Sequence, residues 1–411
     1  MTLDREELGQ RSETVRRSNL SAIVRELHAD GPLSRSELVA RTGLTRSAIR
    51  GLIGELAVAG LVSEERAAPL GTPGRPSPLV HLRPDGAVVL GLEIAVDSVA
   101  AAVVGLGGEV FDRARVDRPR GKSSVSETVA DLAQLARRVL GRRPEADRLV
   151  GIGAAVVGVV RRTDGFVSMA PNVGWIDVPL GQQLAHALAL PAPVSLANDA
   201  DLGALAELRR GAARGADNVL FIGGGVGVGG GLIVDGKPLT GMAGYGGEVG
   251  HMPVNVNGAP CRCGSAGCWE TEIGQDALLT KAGYPREGGL ACVEVVLRRA
   301  AQGSPAELAA LEHVGRWLGF GLAGLINVLD PGLIVLGGHF GRIHPFVAHT
   351  LDAELDRRAL RASRALVRIV PATLGVDAPL LGGAELAFEP LLADPKAWAG
   401  RRNRLAELAS A

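Results

Sequence analysis

Residues Gly247 to Glu270 read G-E-V-G-H-M-P-V-N-V-N-G-A-P-C-R-C-G-S-A-G-C-W-E, and they contain three of the four cysteines of the chain. One imidazole and three thiols in this segment make the donor set of a closed, tetrahedral, structural zinc site. They belong to His251, Cys261, Cys263 and Cys268. Cysteines also fill protein cores as small hydrophobic residues. Because the segment is rich in turn residues and poor in apolar neighbours, the pattern favours zinc binding over core packing.

The composition indicates a multi-domain chain. Its 411 residues, 46% of them hydrophobic, are enough for the cores of two or three domains. Basic and acidic residues number 44 each, so net charge alone indicates no polyanionic partner. The N-terminus lacks the apolar stretch of a secretory signal, and glycines and charges interrupt the long apolar windows, so no membrane contact is expected. Thiols that hold a metal suit a reducing cytoplasm, which is the expected location.

The first 83 residues have a pattern of their own. Apolar positions between Leu20 and Leu27 are spaced as one face of a helix. Ser34 and Glu37 have the spacing of a capping box, which predicts a second helix. A third helix is predicted from about Thr45. Its apolar face consists of Ile49, Leu52, Ile53 and Leu56.

Two short strands are predicted after the third helix, at 60–63 and 79–82, joined by a loop rich in glycine and proline. Three helices and a hairpin are the layout of a winged helix-turn-helix, although an interaction module of another kind has the same pattern. Between Arg11 and Arg83 there are eleven arginines and seven acidic residues, a net charge of +4, which favours DNA only modestly.

The placement of these charges is a stronger argument for DNA binding than their number. Basic and polar side chains lie on the outer face of the third helix, and one arginine lies in the loop between a glycine and a proline. The predicted DNA contacts are Thr45, Arg46, Ser47, Arg50 and Arg75. An arginine in such a loop suits a narrow, A·T-rich minor groove, where the potential is most negative.

From about residue 87 the pattern changes to β-rich runs that alternate with helical stretches. Strands are predicted at 87–94, 99–106, 149–160 and 333–336, with a strand pair at 219–234 around a glycine run. Alternation of strands and helices indicates α/β lobes.

Several motifs occur in the order that is typical of one family. They are P-N-V-G-W at 171–175, N-D-A at 198–200, the glycine run at 223–231, G-E-x-G-H with C-x-C-G-x-x-G-C-x-E at 247–270, and V-L-G-G at 335–338. Over nearly its whole length the chain therefore resembles the ROK family, whose name abbreviates repressor, open reading frame and kinase.

The resemblance implies a mainly α winged helix-turn-helix followed by a two-lobed α/β fold of the actin-like, sugar-kinase (ribonuclease H-like) type with a structural zinc site. The implied boundaries are 1–83 for the DNA-binding domain, 84–198 plus 376–411 for the first lobe, and 199–375 for the second lobe with its zinc-binding loop.

The resemblance also implies a sugar site between the lobes, because the motifs converge on a monosaccharide in the kinases of the family. The matching residues are Asn172, Asn198, Asp199, Glu248, His251 and Glu270. Carboxylates and amides suit the hydroxyls of a sugar. Taken singly, an Asn-Asp pair is more often a helix cap and a lone glutamate is usually on the surface, so this prediction depends on their joint occurrence.

A kinase of this family needs two phosphate-binding loops, and both depart from the family pattern here. The first loop, D-x-G-G-T in the family, reads E-I-A-V-D at 93–97, so Val96 replaces a glycine and Asp97 adds negative charge. In the second loop, G-T-G-x-G-x-G, Val226 replaces the threonine. These changes disfavour ATP and an enzymatic function. Asp199 matches the catalytic base of the kinases, and we interpret it as vestigial.

The sequence is therefore interpreted as that of a sugar-responsive transcriptional regulator, a repressor of carbohydrate uptake or metabolism genes. Operator DNA and a monosaccharide or its derivative are the expected ligands. A homodimer or tetramer is the expected assembly, and a sugar-transport protein is a further candidate partner. Three alternatives stay open: an ATP-dependent monosaccharide kinase that carries a regulatory DNA-binding head, a regulator that a protein partner controls in place of a free sugar, and an activator in place of a repressor.

Overall fold

The structure is a computed structural model that describes residues 5–65, 77–121, 123–141 and 148–398, with side chains from residue 13 onward. Within these ranges, no helix has both the length and the hydropathy that crossing a bilayer requires. The predicted DNA contact Arg75, and most of the loop around it, lie outside the described residues.

The N-terminal unit, residues 5–82, consists of three helices and a three-stranded antiparallel sheet. The helices are α1 (Arg5–Asp30), α2 (Arg35–Thr42) and α3 (Arg46–Val58). The strands are β1 (Leu33–Ser34), β2 (Val62–Glu65) and β3 (Leu79–Leu82), with β3 in the centre of the sheet. Both hairpin strands predicted from the sequence are present, although β2 begins two residues later than expected.

Local hydrogen bonds explain where α2 and α3 begin. Ser34 and Glu37 form the predicted capping box, in which each side chain accepts from the backbone N–H of the other residue. The Thr45 side chain accepts from the Ala48 N–H at the start of α3. All four apolar residues predicted for the inner face of α3 are buried, so the helical pattern predicted its orientation correctly.

The rest of the chain folds into two α/β lobes, as predicted. The first lobe contains a sheet with strand order β11-β7-β4-β5-β6. Its strands are β4 (Val88–Ile94), β5 (Ser98–Gly105), β6 (Val110–Asp117), β7 (Leu149–Val156) and β11 (Val194–Asn198). A smaller sheet in this lobe comprises β8 (Val159–Arg161), β9 (Phe166–Ala170) and β10 (Trp175–Val178). Two helices accompany them, α4 (Val125–Leu140) and α5 (Leu180–Leu188).

The second lobe contains a sheet with strand order β14-β13-β12-β15-β16. Its strands are β12 (Val219–Gly224), β13 (Val228–Val234), β14 (Lys237–Pro238), β15 (Leu333–Gly338) and β16 (Arg368–Pro371). Within the described residues, the remaining α-helices are α6 (Asp199–Arg210), α7 (Glu270–Ile273), α8 (Gln275–Lys281), α9 (Gly289–Ala301), α10 (Pro305–Leu329), α11 (His339–Arg358), α12 (Arg361–Leu366) and α13 (Ala378–Ala393).

One predicted strand is wrong in detail. The apolar run at 149–160 was expected to be continuous, but it forms β7 and β8, which belong to different sheets. Gly158 has a φ of +105°, a conformation that L side chains rarely adopt, and it turns the chain between the two strands. Hydrophobicity alone does not reveal such a turn.

Two packing arrangements connect the parts of the molecule. The helix α6 packs against β12 and β13, whereas α13 packs across β4 and β7, and the two helices also pack closely on each other. A Cβ atom on Gly382 of α13 would lie 1.9 Å from the carbonyl oxygen of Leu202 in α6, so their close approach requires glycine. The apolar side chains of the N-terminal unit share one core with β4, β5 and α13.

Candidate ligand-binding cleft and metal cluster

A cleft of about 710 Å³ lies between the two lobes. The six residues predicted to bind sugar all line it. Four residues of the first altered phosphate loop (Glu93, Ala95, Val96 and Asp97) and five of the second (225–229) line it as well. Motifs that are far apart in the sequence therefore meet at one place. The volume of the cleft, and the charged and amide side chains among its lining residues, suit a small polar ligand.

Asn198 and Asp199 reach the cleft because β11 ends there and α6 begins. The Asn198 side-chain oxygen accepts from the N–H groups of Ala200 and Asp201, at 2.8 and 3.3 Å, and its amide nitrogen donates to the Gly158 carbonyl at 2.9 Å. Asn198 is therefore a helix cap, as the simpler interpretation of an Asn-Asp pair proposed. Its position at the cleft fixes the first turn of α6, where Asp199 lies.

Burial raises the pKa of three carboxyl groups in or near the cleft, those of Asp199, Asp201 and Glu248. Desolvation, together with repulsion from Glu93 and Glu248, raises the pKa of Asp199 to about 7. Desolvation also raises the pKa of Glu248, and repulsion from Glu270 adds to this effect. Asp201 is only 6% exposed and has one carboxyl oxygen without a hydrogen bond, and burial raises its pKa to about 7. At neutral pH Asp199 therefore exchanges between accepting and donating forms, which suits hydroxyl ligands.

The four predicted metal ligands converge in space. One ligand atom from each of them lies within 4.8 Å of all the others, so the cluster can hold a metal ion. The Cys263 and Cys268 sulfur atoms are 3.7 Å apart, and the Cys261 sulfur is 3.7 Å from Nδ1 of His251. A single 3-10 turn at Val249–His251 separates Glu248 from His251, and both residues line the cleft, in agreement with their predicted proximity.

Glu270 connects the metal cluster to the glycine loop. Its Oε1 atom is 2.9 Å from the Cys261 sulfur and 3.7 Å from Nδ1 of His251. Its Oε2 atom accepts from the Val228 N–H at 3.4 Å, just beyond Gly227. A Cβ atom on Gly227 would lie 2.6 Å from that same Oε2, so the loop needs a glycine to pass this carboxylate.

Three residues at the cleft were missed by sequence reasoning. Arg262 donates from Nη1 to the Asn172 side-chain oxygen at 2.7 Å and from Nη2 to Asp276 at 3.1 Å. The other carboxyl oxygen of Asp276 accepts from Arg120 at 3.0 Å. Arg262 lies between two of the cysteines in the sequence, so the metal cluster determines its position. That adjacency was the available signal.

An internal ion pair lies beside the first altered loop. Glu93 is 5% exposed, and its carboxylate is 2.7 Å from Nη2 of Arg115, which also approaches Asp377 at 3.5 Å. Burial raises the pKa of Glu93 more than the attraction of Arg115 lowers it. The guanidinium is also 3.0 Å from the Ser98 hydroxyl oxygen. This end of the cleft thus contains a protein cation that is already paired.

The outer face of α3 presents the other predicted site. Thr45, Arg46, Ser47 and Arg50 are all exposed. Elsewhere in the N-terminal unit the arginines Arg16, Arg35 and Arg41 form ion pairs with acidic residues. Within the described ranges, no acidic group forms an ion pair with an arginine on this face of α3. Unpaired arginines on an exposed helix are available to an anionic partner.

Residues 89–389 match the model of the ROK family. The chain is 28% identical to the xylose repressor of Bacillus subtilis over 381 residues, 92% of this chain and 97% of that protein. It is 33% identical to a glucokinase of Halalkalibacterium halodurans over 317 residues, 72% of this chain and 94% of that protein. The crystal structure of a ROK family transcriptional regulator, a homolog of the E. coli MLC protein, superposes with a TM-score of 0.74 at 24% identity, over 95% of this chain and 99% of that one. Its two-lobed, actin-like fold agrees with the prediction.

Proposed function

Because the chain belongs to the ROK family, we propose that it is a sugar-responsive transcriptional repressor of carbohydrate uptake or metabolism genes. The observation that carries the proposal is the length of the match to the Bacillus subtilis xylose repressor. Since 92% of the chain is covered, the match extends into the N-terminal unit as well as the cleft. A repressor needs a DNA-binding unit and a ligand sensor in one chain, and this chain contains a candidate for each.

We assign the N-terminal unit as a winged helix-turn-helix with α3 as the recognition helix. A helix of this kind enters the major groove with its N-terminal residues toward the base edges. Arg46 and Arg50 are suited to bidentate hydrogen bonds with guanine, and the hydroxyls of Thr45 and Ser47 are suited to phosphate oxygens. For Arg75 we propose the role predicted from the sequence, which is insertion into a narrow, A·T-rich minor groove.

We assign the cleft as the sugar site. Five side chains exchange hydrogen bonds with the sugar hydroxyls in this proposal: Asn172, Asp199, Glu248, His251 and Glu270. The amide of Asn198 is already engaged with backbone groups, so its part is to hold Asp199 in place. A site of fixed donors and acceptors rejects an epimer, because the mismatched sugar leaves buried polar groups unpaired.

We propose that zinc occupies the metal cluster. Sulfur ligands at about 2.3 Å from a tetrahedral ion are roughly 3.8 Å apart, and the observed separation of 3.7 Å between Cys263 and Cys268 fits that geometry. Bound zinc supplies a structural cross-link and no reaction. His251 would bind it through Nδ1, which lies nearest the cysteine cluster, and present its other face to the cleft.

We propose that the protein does not transfer phosphate. Val96 and Val226 bring branched side chains to loops that need close backbone approach, and Asp97 adds a negative charge. The ion pair of Glu93 with Arg115 supports the same conclusion, because the carboxylate that begins the first loop is already engaged.

A monosaccharide kinase with a DNA-binding head is the second candidate, and two observations favour it. The glucokinase relative is 33% identical over 72% of this chain. Desolvation and neighbouring carboxylates raise the pKa of Asp199 to about 7, a value that suits a general base at neutral pH. ATP-dependent phosphorylation of a monosaccharide by the purified protein would establish this candidate.

We further propose the domain boundaries that the sequence suggested: 1–83 for DNA binding, 84–198 plus 376–411 for the first lobe, and 199–375 for the second. A homodimer, or a tetramer of two dimers, would match the two-fold symmetry of a palindromic operator. A sugar-transport protein is the proposed partner if free sugars have no effect.

The deciding experiment is binding of the purified protein to DNA from upstream of its own gene, at fixed salt, with monosaccharides titrated in. We expect specific binding that one sugar releases. If the protein binds this DNA specifically but no sugar changes the binding, we would conclude that a partner protein controls it. If the protein does not bind this DNA specifically and consumes ATP in the presence of a hexose, the kinase function would be accepted and the repressor function rejected.

A further inference from the structure

A buried polar junction connects the N-terminal unit to both lobes. It consists of His28 in α1, Arg210 in α6 and Glu385 in α13. His28 and Glu385 are 2% and 4% exposed, and Nε2 of His28 is 2.9 Å from the Glu385 carboxylate. Arg210 donates from Nε to the same carboxylate at 2.8 Å and from Nη1 to the His28 carbonyl at 2.6 Å. Burial raises the pKa of Glu385, but the attraction of His28 and Arg210 outweighs it and lowers the pKa to about 2.

The helix that carries Arg210 begins at the ligand cleft. Asp199 is the first residue of α6 and lines the cleft, and Arg210 is the last residue of the helix. Twelve residues at about 1.5 Å each give a rod of about 18 Å. A displacement of the first turn by a ligand is therefore transmitted to the junction without an intervening loop.

The far end of α6 is held firmly. Glu207, one turn before Arg210, is fully buried and accepts hydrogen bonds from the N–H groups of Ala212, Thr373 and Leu374. These bonds connect α6 to the segment that leads into α13. Near the cleft, Gly382 packs so closely on the Leu202 carbonyl that the two helices cannot slide past each other without a change in packing.

The N-terminal unit has different kinds of contact with the two lobes. Apolar residues of α1, among them Leu27, share a core with Phe388 of α13 and with β4 and β5 in the first lobe. The helix α6 packs on the sheet of the second lobe as well as on α13, and it contacts α1 through Arg210. Arg214, in the turn that follows α6, contacts α1 as well. Arg214 donates to the Ala29 carbonyl at 3.1 Å. A movement of α6 relative to α13 would therefore change the polar contacts of α1.

We infer that Arg210 is a positioning residue that couples the cleft to the N-terminal unit, by holding the end of α1 in an orientation that depends on the lobes. This inference rests on the proposed function. Buried, directional hydrogen bonds suit the role because a displaced Arg210 leaves Glu385 without one of its charged partners, so intermediate positions are unfavourable. The turn between β5 and β6 limits these positions further, since a Cβ atom on Gly108 would lie 2.6 Å from Nε of Arg210.

The test compares Arg210→Met and Arg210→Lys with wild type. For each protein we would measure the Kd for D-xylose, D-glucose and N-acetyl-D-glucosamine by calorimetry, and the Kd for upstream DNA with and without each sugar. In wild type we expect the effective sugar to change the DNA Kd roughly five- to 150-fold, and DNA to change the sugar Kd by the same factor. In Arg210→Met both factors should fall below about twofold while the sugar Kd without DNA stays within about twofold of wild type. Arg210→Lys keeps the positive charge but loses the planar, bidentate geometry of the guanidinium. Its coupling factor between sugar and DNA binding should lie between those of wild type and Arg210→Met.

The matched control is Arg358→Met, because Arg358 also lies in the last turn of a helix and pairs with a buried glutamate, Glu354. It should keep the wild-type factor. If Arg210→Met does not fold, Arg214→Gln takes its place, since Arg214 is 51% exposed and its loss should reduce the factor without unfolding. A wild-type protein whose DNA binding no sugar changes would contradict the proposed function itself. A responsive wild type with folded variants that keep the full factor would overturn the inference alone.

Discussion

The protonation of single carboxyl groups gives the cleft a pH dependence. Desolvation and the neighbouring Glu93 and Glu248 raise the pKa of Asp199 to about 7, so much of this group is protonated at pH 6 and ionised at pH 8. An ionised carboxylate accepts stronger hydrogen bonds from hydroxyls. We therefore expect the sugar Kd to decrease between pH 6 and pH 8, by several-fold, in calorimetric titrations. The Asp199→Asn variant should bind more weakly and show a flatter profile.

The raised pKa of Asp199 also affects folding. The sugar-free protein should become less stable as pH rises, whereas its sugar affinity should increase. Because the folded pKa of Asp199 lies above its usual value of 3.8, its contribution to folding is greatest below pH 4 and is lost as pH rises toward 7. Asp201, whose pKa burial also raises to about 7, adds to this loss.

Equal sugar affinity at pH 6 and pH 8 would mean that Asp199 does not contact the sugar.

Arg262 illustrates a residue whose role depends on its neighbours. It donates to the oxygen of the Asn172 amide, which leaves the amide nitrogen free to donate to a ligand. We expect Arg262→Gln to raise the sugar Kd about five- to tenfold, since a charge-assisted hydrogen bond that orients a binding group is lost. The melting temperature should change little because Arg262 is 51% exposed. Arg286→Gln, at another exposed arginine near the cleft, is the control, and an equal effect there would reject the assignment.

Functional residues could be predicted from the sequence where a recognised motif contains them. The six cleft residues and four metal ligands meet where their motifs predicted. Asp276, Arg120 and Arg115 belong to no motif, and Arg262 occupies the variable position of C-x-C. The contacts of these residues join segments whose spatial relation the sequence does not reveal. The hydrogen bonds of Asn198 show a further limit: a cap and a ligand contact need the same residue type.

At the scale of elements, the outer face of α3 should determine DNA sequence preference. A bidentate arginine contributes about 1–3 kcal/mol of discrimination between bases. We expect Arg50→Ala to reduce the preference for operator over mutated operator by roughly tenfold or more in competition assays, consistent with that energy. Arg35→Ala is the matched control, because Arg35 is in the same unit but pairs with Glu64. An unchanged operator preference in Arg50→Ala would show that α3 has a different orientation on DNA.

The segment from Glu248 to Glu270 should depend on metal for its shape. Its backbone hydrogen bonds are those of turns and of two isolated β-bridges, so no extended strand or long helix in the described part of the chain holds its cysteines together. We expect the purified protein to contain one zinc per chain, and Cys263→Ser to lose it, with a lower melting temperature and weaker sugar binding. Cys292→Ser is the matched control, since that cysteine lies outside the cluster and should leave the zinc content unchanged. Retention of full zinc by Cys263→Ser would remove Cys263 from the ligand set.

Elements were predicted best where a local signal marks their ends. The capping box at Ser34 and the cap at Thr45 begin α2 and α3 as expected. The first helix extends well beyond the apolar positions at 20–27 that predicted it, because its N-terminal turns have few apolar residues and the periodicity is weak there. The run at 149–160 was divided by a glycine turn that apolar composition conceals.

At the scale of the molecule, the two lobes and the N-terminal unit were anticipated, but the manner of their connection was not. Helical periodicity indicates that the inner faces of α1 and α3 are buried, and it does not say what covers them. In the structure, part of that cover is the outer surface of the first lobe, formed by β4, β5 and α13. Among its described residues, the N-terminal unit therefore has no hydrophobic core that is separate from that of the first lobe.

This shared core predicts that the N-terminal unit and the first lobe unfold together. Leu27 and Phe388 are fully buried in it, and Trp398 lies in the same cluster at 6% exposure. We expect Leu27→Ala to cost about 2–5 kcal/mol of unfolding free energy and to lower amide-exchange protection in α13 as well as in α1 to α3. In Leu322→Ala, a fully buried site in the core of the second lobe, protection of α1 should stay at its wild-type level. If Leu27→Ala loosened α1 to α3 while α13 kept its protection, the N-terminal unit would be an independent folding unit, and signals from the cleft would have to reach it through the polar junction alone.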